Sequence, residues 1–351
     1  MESHTARVNH AEFSPSGDLI VTAAGKLGAA GAARIYLTSD VEPLLSLTTQ
    51  GAVSFASFCL TGRYIALAAE DQGGEAGEFQ VWEVAKVKSR YFEWIRQHAG
   101  PVVHASFSPD ERYLISASHD STAVLWDLKG DRKHTLWHGS HVNSAAFSPD
   151  GRHVITACRD TSARIWSVAT GSLATPTVNH TGTVSTGVFS PDGRCALTAG
   201  GYSAQYWDLS SSDAENSRLP NEGFPHVVRT DGWVNETPKG MHGRFVISAR
   251  RYPDSLVQVW DIIANEAVGE AVPLPFNISF GAVSPDGKYA VIGNDASDNI
   301  LIWKLDGKPA PKNLSIHGHK ARCAALSSTG YLAVALEKQV ALEEQPAGEG
   351  K

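Results

Sequence analysis

Features typical of a membrane or exported protein are missing from this chain of 351 residues. No apolar run approaches the roughly 20 residues that a membrane-spanning helix needs. Residues 1–4 (MESH) show neither the positive charge nor the apolar run that begins a secretory signal. We therefore expect a cytoplasmic protein that does not associate with membranes.

Signs of metal, nucleotide or nucleic-acid chemistry are equally scarce. Charged residues make up 19% of the chain, the net charge is −7, and no run of lysines or arginines suggests a nucleic-acid groove. The sequence has no Walker loop, no GxSxG and no HExxH, so we predict no catalytic residue, no cofactor and no metal. Four widely spaced cysteines without a CxxC pair predict neither a disulfide framework nor a metal site.

Tryptophan, by contrast, is abundant and regularly spaced. Six of the nine tryptophans recur at intervals of 40 to 53 residues, and Tyr36 takes the same place one interval earlier. A turn motif recurs in phase with them, as FSPDE from Phe107 and as FSPDG from Phe147 and Phe189. Self-similarity at this period indicates a repeat architecture. The six tryptophans are Trp82, Trp126, Trp166, Trp207, Trp260 and Trp303.

One period contains four short β-type runs separated by turns. In the third period these runs cover residues 102–107, 113–118, 123–126 and 135–137. Runs of this length without a sustained helical period predict an all-β protein. Residues 86–98 could form an amphipathic helix, but their phase in the repeat favours the fourth strand. Four antiparallel strands per period, repeated around a ring, describe a β-propeller.

The ends of the repeats carry a resemblance to a known family. They read LWDL (125–128), RIWSV (164–168), YWDL (206–209), VWDI (259–262) and LIWKL (301–305). With the in-phase SPDG turns, the chain resembles the WD-repeat β-propeller family over nearly its whole length. Residues 163–176 look like the repeats that follow kinase or ATPase domains in large bacterial proteins.

The repeats predict seven complete blades and an incomplete eighth. The eighth unit ends in residues 340–342 and has Glu343 where tryptophan is expected, with no fourth strand. We favour an eight-bladed ring over a seven-bladed ring, which would leave the hairpin 321–336 unpaired. The alternative is that the chain is part of a longer protein. On this interpretation residues 1–345 form one propeller and residues 346–351 a flexible tail.

The resemblance also implies buried hydrogen-bonded sets within the blades. In the family, a histidine before the first strand, a hydroxyl in the second, a turn aspartate and the third-strand tryptophan form one set. A His–Asp–Ser grouping can suggest a catalytic triad, but these sets repeat by fold position, so we interpret them as structural. The complete sets are His98, Ser116, Asp120 and Trp126 in the third unit, and His138, Thr156, Asp160 and Trp166 in the fourth.

Two kinds of loop position predict a binding face at the mouth of the ring. One kind directly precedes the turn aspartate, and the other flanks the valine of a first strand. These positions are basic or amide in an acidic chain, which suits an acidic or phosphorylated peptide, although ordinary solvated surface is the alternative. The candidates are Arg7, Asn9, His119, His141, Asn143, Arg159, Lys320 and Arg322.

The sequence therefore favours a non-catalytic scaffold that binds a peptide or protein on the loop face around the central funnel. Such a scaffold would be a monomer or a module of a larger chain. Two alternatives stay open: a propeller enzyme with its active site in the funnel, and a regulatory or sensor module of a longer bacterial kinase- or ATPase-type signalling protein. The first strands offer mainly valine, alanine, serine and asparagine, which argues against the enzyme.

Overall fold

Short β-strands make up the regular structure of the described residues. No helix in the described part is long and apolar enough to cross a membrane. The computed structural model describes residues 4, 6–26, 29–39, 43–70, 76–84, 96–129, 132–190, 192–200, 203–209, 226–229, 245–249, 256–261, 266–273, 280–284, 288–293, 299–305, 312–315, 321–326, 331–336 and 340–344.

The strands of these residues form eight antiparallel sheets, which we number in chain order. Sheets one to four have four strands each, and every strand pairs with the next in sequence. Their strands are β1 (Val8–Phe13), β2 (Leu19–Ala24), β3 (Ala32–Leu37), β4 (Pro43–Thr48), β5 (Val53–Phe58), β6 (Tyr64–Glu70), β7 (Gly77–Glu83), β8 (Arg96–His98), β9 (Val102–Phe107), β10 (Tyr113–Ser118), β11 (Thr122–Asp127), β12 (Arg132–Trp137), β13 (Val142–Phe147), β14 (His153–Cys158), β15 (Ser162–Ser167) and β16 (Val178–Asn179).

Sheets five and seven also have four strands, whereas sheets six and eight have three in the described residues. Their strands are β17 (Val184–Phe189), β18 (Cys195–Gly200), β19 (Ser203–Asp208), β20 (His226–Arg229), β21 (Phe245–Ala249), β22 (Leu256–Asp261), β23 (Glu266–Pro273), β24 (Phe280–Val283), β25 (Tyr289–Gly293), β26 (Asn299–Lys304), β27 (Lys312–Ser315), β28 (Ala321–Leu326), β29 (Tyr331–Leu336) and β30 (Val340–Glu344).

Several sequence expectations can be compared with these bounds. The all-β prediction is confirmed, and β9 and β10 have the predicted limits. Residues 96–98 form β8, the predicted fourth strand of sheet two, while the rest of segment 86–98 lies outside the described residues. The predicted tail 346–351 also lies outside them.

The SPDG motif forms the turn between the first and second strands. In sheet four the Ser148 hydroxyl accepts a hydrogen bond from the His153 amide at 2.9 Å and donates one to Asp150 Oδ1 at 2.6 Å. Gly151 has a φ of 69°, a left-handed conformation that glycine adopts without steric cost. The motif therefore recurs because its side chains close the turn and fix the register of the hairpin.

The apolar core lies between neighbouring sheets. Sheets two and three share a cluster that contains Phe79, Leu114 and Trp126, and the next cluster joins sheets three and four. Further clusters join sheet four to five, six to seven and seven to eight. The last sheet packs against the first, because Ala333 lies in one cluster with Val8 and Phe13. The sheets therefore follow one another in a propeller-like ring.

The first strand of each sheet lies towards the centre of this ring. Strand β1 contacts β5, β5 contacts β9, and β9 contacts β13, which in turn contacts β17. On the other side of the ring β24 contacts β28, and β28 contacts β1. Both ends of these first strands therefore open onto the axis, where a ligand could meet several sheets at once.

Candidate functional site

The predicted set of sheet three is assembled around the hydroxyl of Ser116. This hydroxyl accepts a hydrogen bond from Trp126 Nε1 at 2.9 Å and lies 2.7 Å from His98 Nε2. On the other side of the imidazole, Nδ1 donates to Asp120 Oδ2 at 2.9 Å. Thr122 adds a hydroxyl hydrogen bond to Asp120 at 2.6 Å. All four predicted residues are thus brought together.

The corresponding set of sheet four is connected differently. His138 Nε2 lies 2.8 Å from the Thr156 hydroxyl, which accepts from Trp166 Nε1 at 2.9 Å. However, His138 Nδ1 donates to the main-chain oxygen of Leu136 at 3.0 Å rather than to the aspartate. Three of the four predicted residues are therefore joined directly.

Asp160, the fourth predicted residue, pairs with Arg164 instead. Its Oδ2 lies 3.0 Å from Arg164 Nη2 and also accepts the Gly139 amide at 3.0 Å. Burial opposes ionisation, but hydrogen bonds, that from Ser162 foremost, hold the pKa of Asp160 below its usual range. The aspartate thus closes the turn and neutralises an arginine of its own sheet.

The histidine–hydroxyl pair recurs in two further sheets. His4 Nε2 lies 2.8 Å from the Thr22 hydroxyl, and His180 Nε2 lies 2.8 Å from that of Thr198. Sequence reasoning found both histidines as members of the repeat but missed their partners. The missed signal is a constant separation of 18 residues from histidine to hydroxyl, which sheets three and four share.

The electrostatics of these histidines argue against a proton-transfer role. Burial lowers the pKa of His4, His138 and His180 to about 4, with Arg34 and Arg164 adding to the effect at the first two. The hydroxyls they meet, those of Thr22, Thr156 and Thr198, are buried and do not face solvent. The sets consequently satisfy buried polar atoms, as structural networks do.

The candidate binding face contains a cluster of basic side chains from two neighbouring sheets. The rings of His119 and His141 stack with centroids 4.5 Å apart and an angle of 16° between their planes. His119 directly precedes Asp120, His141 directly precedes β13, and the Arg159 amide donates to the His141 oxygen at 2.8 Å. Burial lowers the pKa of His119, as do the nearby charges of His141 and Arg159. The Arg159 side chain is exposed.

Two other candidates of this face make contacts between sheets. Asn9 Nδ2 donates to the main-chain oxygen of Val53 at 2.8 Å, and Asn143 Nδ2 donates to that of Val184 at 2.7 Å. Ser54 makes the equivalent bond to Val102 at 2.9 Å. The sequence predicted that these asparagine side chains bind a partner. In the structure, the NH₂ group of each links its own first strand to that of the next sheet.

The remaining candidates have different standing in the structure. Arg7 is exposed directly before β1, at the same end of its sheet as Asn9. Lys320 and the side chain of Arg322 lie outside the described residues. The structure thus brings His119, His141 and Arg159 together and leaves Arg7 apart from this cluster, on sheet one.

Comparison with known proteins agrees with this geometry. The family model for the WD domain, G-beta repeat, matches residues 90–127 and 130–167, which include the first three strands of sheets three and four. These two stretches are therefore similar to WD repeats, and the chain resembles the WD-repeat β-propeller family. Proteins with WD repeats generally act as scaffolds for protein interactions.

WD-repeat relatives match part of the chain. The serine-threonine kinase receptor-associated proteins of Rattus norvegicus and Mus musculus are 29% and 28% identical to it over 130 residues, or 37% of this chain. The aligned part spans about a third of those relatives, 34% of their length. The crystal structure of the computationally designed Ika8 protein superposes with a TM-score of 0.76 over 98% of both chains, at 17% identity. This likeness shows the fold alone.

Proposed function

We propose that this WD-repeat protein is a non-catalytic scaffold that binds a protein or peptide through the His119–His141–Arg159 cluster. Support for this proposal comes from the family, whose members generally act as interaction scaffolds, and from the buried, structural use of the repeated histidines. The relatives named above are described as associated with a serine-threonine kinase receptor, which agrees with a binding role.

The chemistry of the cluster favours an acidic or phosphorylated segment as the ligand. Three basic side chains from two sheets converge at one end of the ring, in a chain whose net charge is −7. A guanidinium can bind a carboxylate or phosphate through two parallel hydrogen bonds, and stacked imidazoles can donate further ones. The stacked pair beside an exposed arginine is the observation that carries the proposal.

Mutation of the face tests it. Arg159→Ala combined with Arg322→Ala should weaken partner capture while the melting temperature stays within a few degrees of the wild type, since Arg159 is exposed and surface changes rarely exceed about 0.5 kcal/mol. Quantitative mass spectrometry of proteins captured by the immobilised chain provides the measurement. Arg152→Ala is the matched control, because Arg152 is an exposed arginine at the opposite end of sheet four. Equal capture by all variants would contradict the proposal.

We further propose that the ring has eight blades, with sheet eight as the incomplete last blade. The eight antiparallel sheets and the packing of Ala333 against Val8 and Phe13 support this number. Deleting residues 316–351 should expose the apolar side chains of Val8 and Phe13 and lower the melting temperature strongly. In a seven-bladed ring closed without sheet eight, the deletion would leave the melting temperature nearly unchanged.

We also propose that the protein is cytoplasmic and that it acts as a monomer or as a module of a larger chain. Sedimentation of the purified protein tests the monomer, and fractionation of the cells that produce it tests the location. A stable dimer would contradict the proposed monomer, and recovery of the protein with membranes would contradict the proposed cytoplasmic location.

A further inference from the structure

A cavity of about 420 Å³ lies at the centre of the ring, at the end opposite the basic cluster. His141 and Arg159 flank the paired residues Val142 and Cys158 at one end of sheet four, whereas Phe147 lies at the other end. The cavity is lined there by the first strands of five consecutive sheets and by the prolines of three of their turns, Pro15, Pro109 and Pro149. Its volume falls within the range of small-molecule sites.

The walls of this cavity are mostly aromatic and aliphatic. Each of the five first strands ends in a phenylalanine that lines it, and a sixth ring, that of Phe55, lies above them on β5. Phe55 stacks on His104 with centroids 4.4 Å apart. Such walls favour a ligand with an apolar body, and their ring faces also attract cations. The five phenylalanines are Phe13, Phe58, Phe107, Phe147 and Phe189.

One acidic side chain, Glu12 of β1, lies among these apolar walls. Its Oε1 accepts a hydrogen bond from the Phe58 amide at 3.1 Å, and its Oε2 is buried and has no hydrogen-bond partner among the described residues. Burial raises the pKa of Glu12 to about 8, against the opposing effect of the Phe58 amide. The other titratable groups that line the cavity are Cys59 and His104, and His10 stacks on Phe55 beside it.

Burying a carboxyl group in this way destabilises the folded state unless a partner hydrogen-bonds to its free oxygen. Glu12 directly precedes the last phenylalanine of its strand. The equivalent residues of the next two sheets are not acidic but are Ser57 and Ser106. An apolar wall with a single acidic group and an unused oxygen is complementary to a ligand with an apolar body and one positive charge.

We propose that the central cavity binds a small cation with an aromatic or aliphatic body, whose ammonium or guanidinium group pairs with Glu12. The cation would supply the missing donor to Oε2 while its body displaces water from the phenylalanine rings. This site is independent of the basic cluster, because the two lie at opposite ends of the ring and select opposite charges.

Three probes of one shape test the proposal: 2-phenylethylamine, the neutral 2-phenylethanol and the anionic phenylacetate. Calorimetric titration of the full chain at pH 7 should show the amine binding at least about 10-fold more tightly than the alcohol, since a charge-assisted hydrogen bond is roughly twice as strong as a neutral one. Phenylacetate should not bind. Because Glu12 is mostly protonated at pH 7 in the free protein, amine binding should release a proton, measured as a heat that depends on the buffer.

Variants separate this site from non-specific binding. Glu12→Gln keeps the shape and should remove both the preference for the amine and the proton release. Glu111→Gln should keep both, because Glu111 accepts the Thr61 amide at 3.0 Å outside the cavity. Ala146→Phe, which narrows the cavity, should weaken the amine and the alcohol alike. Equal binding of amine and alcohol, or an unchanged preference in Glu12→Gln, would overturn the proposal, as would failure of the amine to bind at millimolar concentration.

Discussion

Sheets three and four carry the same histidine, hydroxyl and tryptophan, yet their aspartates have different partners. Asp120 accepts from His98, whereas Asp160 pairs with Arg164 and leaves His138 to the oxygen of Leu136. Two residues before the tryptophan, sheet three has the buried Val124 and sheet four has Arg164. A single side chain thus explains why the aspartate of one repeat is hydrogen-bonded to its histidine and that of the next is not.

The comparison shows which part of the set is constant. In both sheets the hydroxyl receives the indole N–H and meets the imidazole Nε2, and both indoles are buried between sheets. The aspartate accepts the amide two residues later in its own turn, and it also accepts the amide after the histidine, which lies in the link before the first strand. The hydroxyl is therefore the centre of the set, and the hydrogen bond between histidine and aspartate occurs in sheet three in addition to it.

Acid should produce the largest effect, and sheet four should contribute to it through His138. Burial depresses the pKa of His138, like those of His4 and His180, from 6.5 to about 4, so these groups stabilise the folded chain above pH 6.5. Their contribution is lost as the pH falls from 6.5 to 4, by about 2–3 kcal/mol for each histidine. Denaturant unfolding at several pH values measures this. In His138→Gln the free energy of unfolding should fall less steeply as the pH is lowered from 6.5 to 4. An equally steep fall would contradict the account.

Removing a tryptophan should have the next largest effect, and it should be similar in the two sheets. Trp126 and Trp166 both fill the space between their own sheet and the preceding one. Trp126→Ala and Trp166→Ala should each lower the free energy of unfolding by about 3–5 kcal/mol. Thermal or urea unfolding measures the loss. The exposed Trp137 offers the control, because Trp137→Ala should change stability little.

Removing the central hydroxyl should cost less but should distinguish it from the aspartate. Ser116→Ala and Thr156→Ala each leave a buried indole N–H and an imidazole nitrogen without a partner. We expect a loss of about 1–3 kcal/mol in either sheet. Urea unfolding of the two variants provides the comparison. A loss in sheet four alone would mean that the hydrogen bond between His98 and Asp120, rather than the hydroxyl, holds the set of sheet three together.

Exchanging the residue that distinguishes the sheets should have the smallest effect on stability and a clear effect on titration. Arg164→Val gives sheet four the side chain of sheet three. Since the charge of Arg164 lowers the pKa of His138 and that of Asp160 raises it, the substitution should move this pKa upward from about 4. Proton NMR titration of the imidazole measures the change. An unchanged pKa would show that burial alone sets it.

Much of this arrangement follows from local sequence, and the rest does not. The strands β9 and β10 could be placed because SPDE and HDS turns bound them, and the histidine of each set could be found from its distance to the phenylalanine. The link from Asn143 to Val184 could not, because it joins first strands of different sheets across 41 residues. Glu12 was missed for a similar reason: its environment consists of residues from five sheets.

The repeat pattern likewise could not predict whether Asp160 pairs with Arg164 or with His138. Both the imidazole and the guanidinium lie close to the Asp160 turn, and the position of Arg164 in the repeat carries no family signature. Only the geometry shows that the guanidinium takes the carboxylate. Repeated residues could therefore be assigned from sequence, whereas contacts made by residues that vary between repeats needed the structure.

The central claim is that repeated residues maintain the ring and that residues varying between repeats bind the partner. Thr156 and Arg159, three positions apart, represent the two classes. The most direct test is quantitative partner capture by the single variants Thr156→Ala and Arg159→Ala, measured well below the melting temperature of each. We predict normal capture by Thr156→Ala and reduced capture by Arg159→Ala. Reduced capture by folded Thr156→Ala, with normal capture by Arg159→Ala, would contradict the claim.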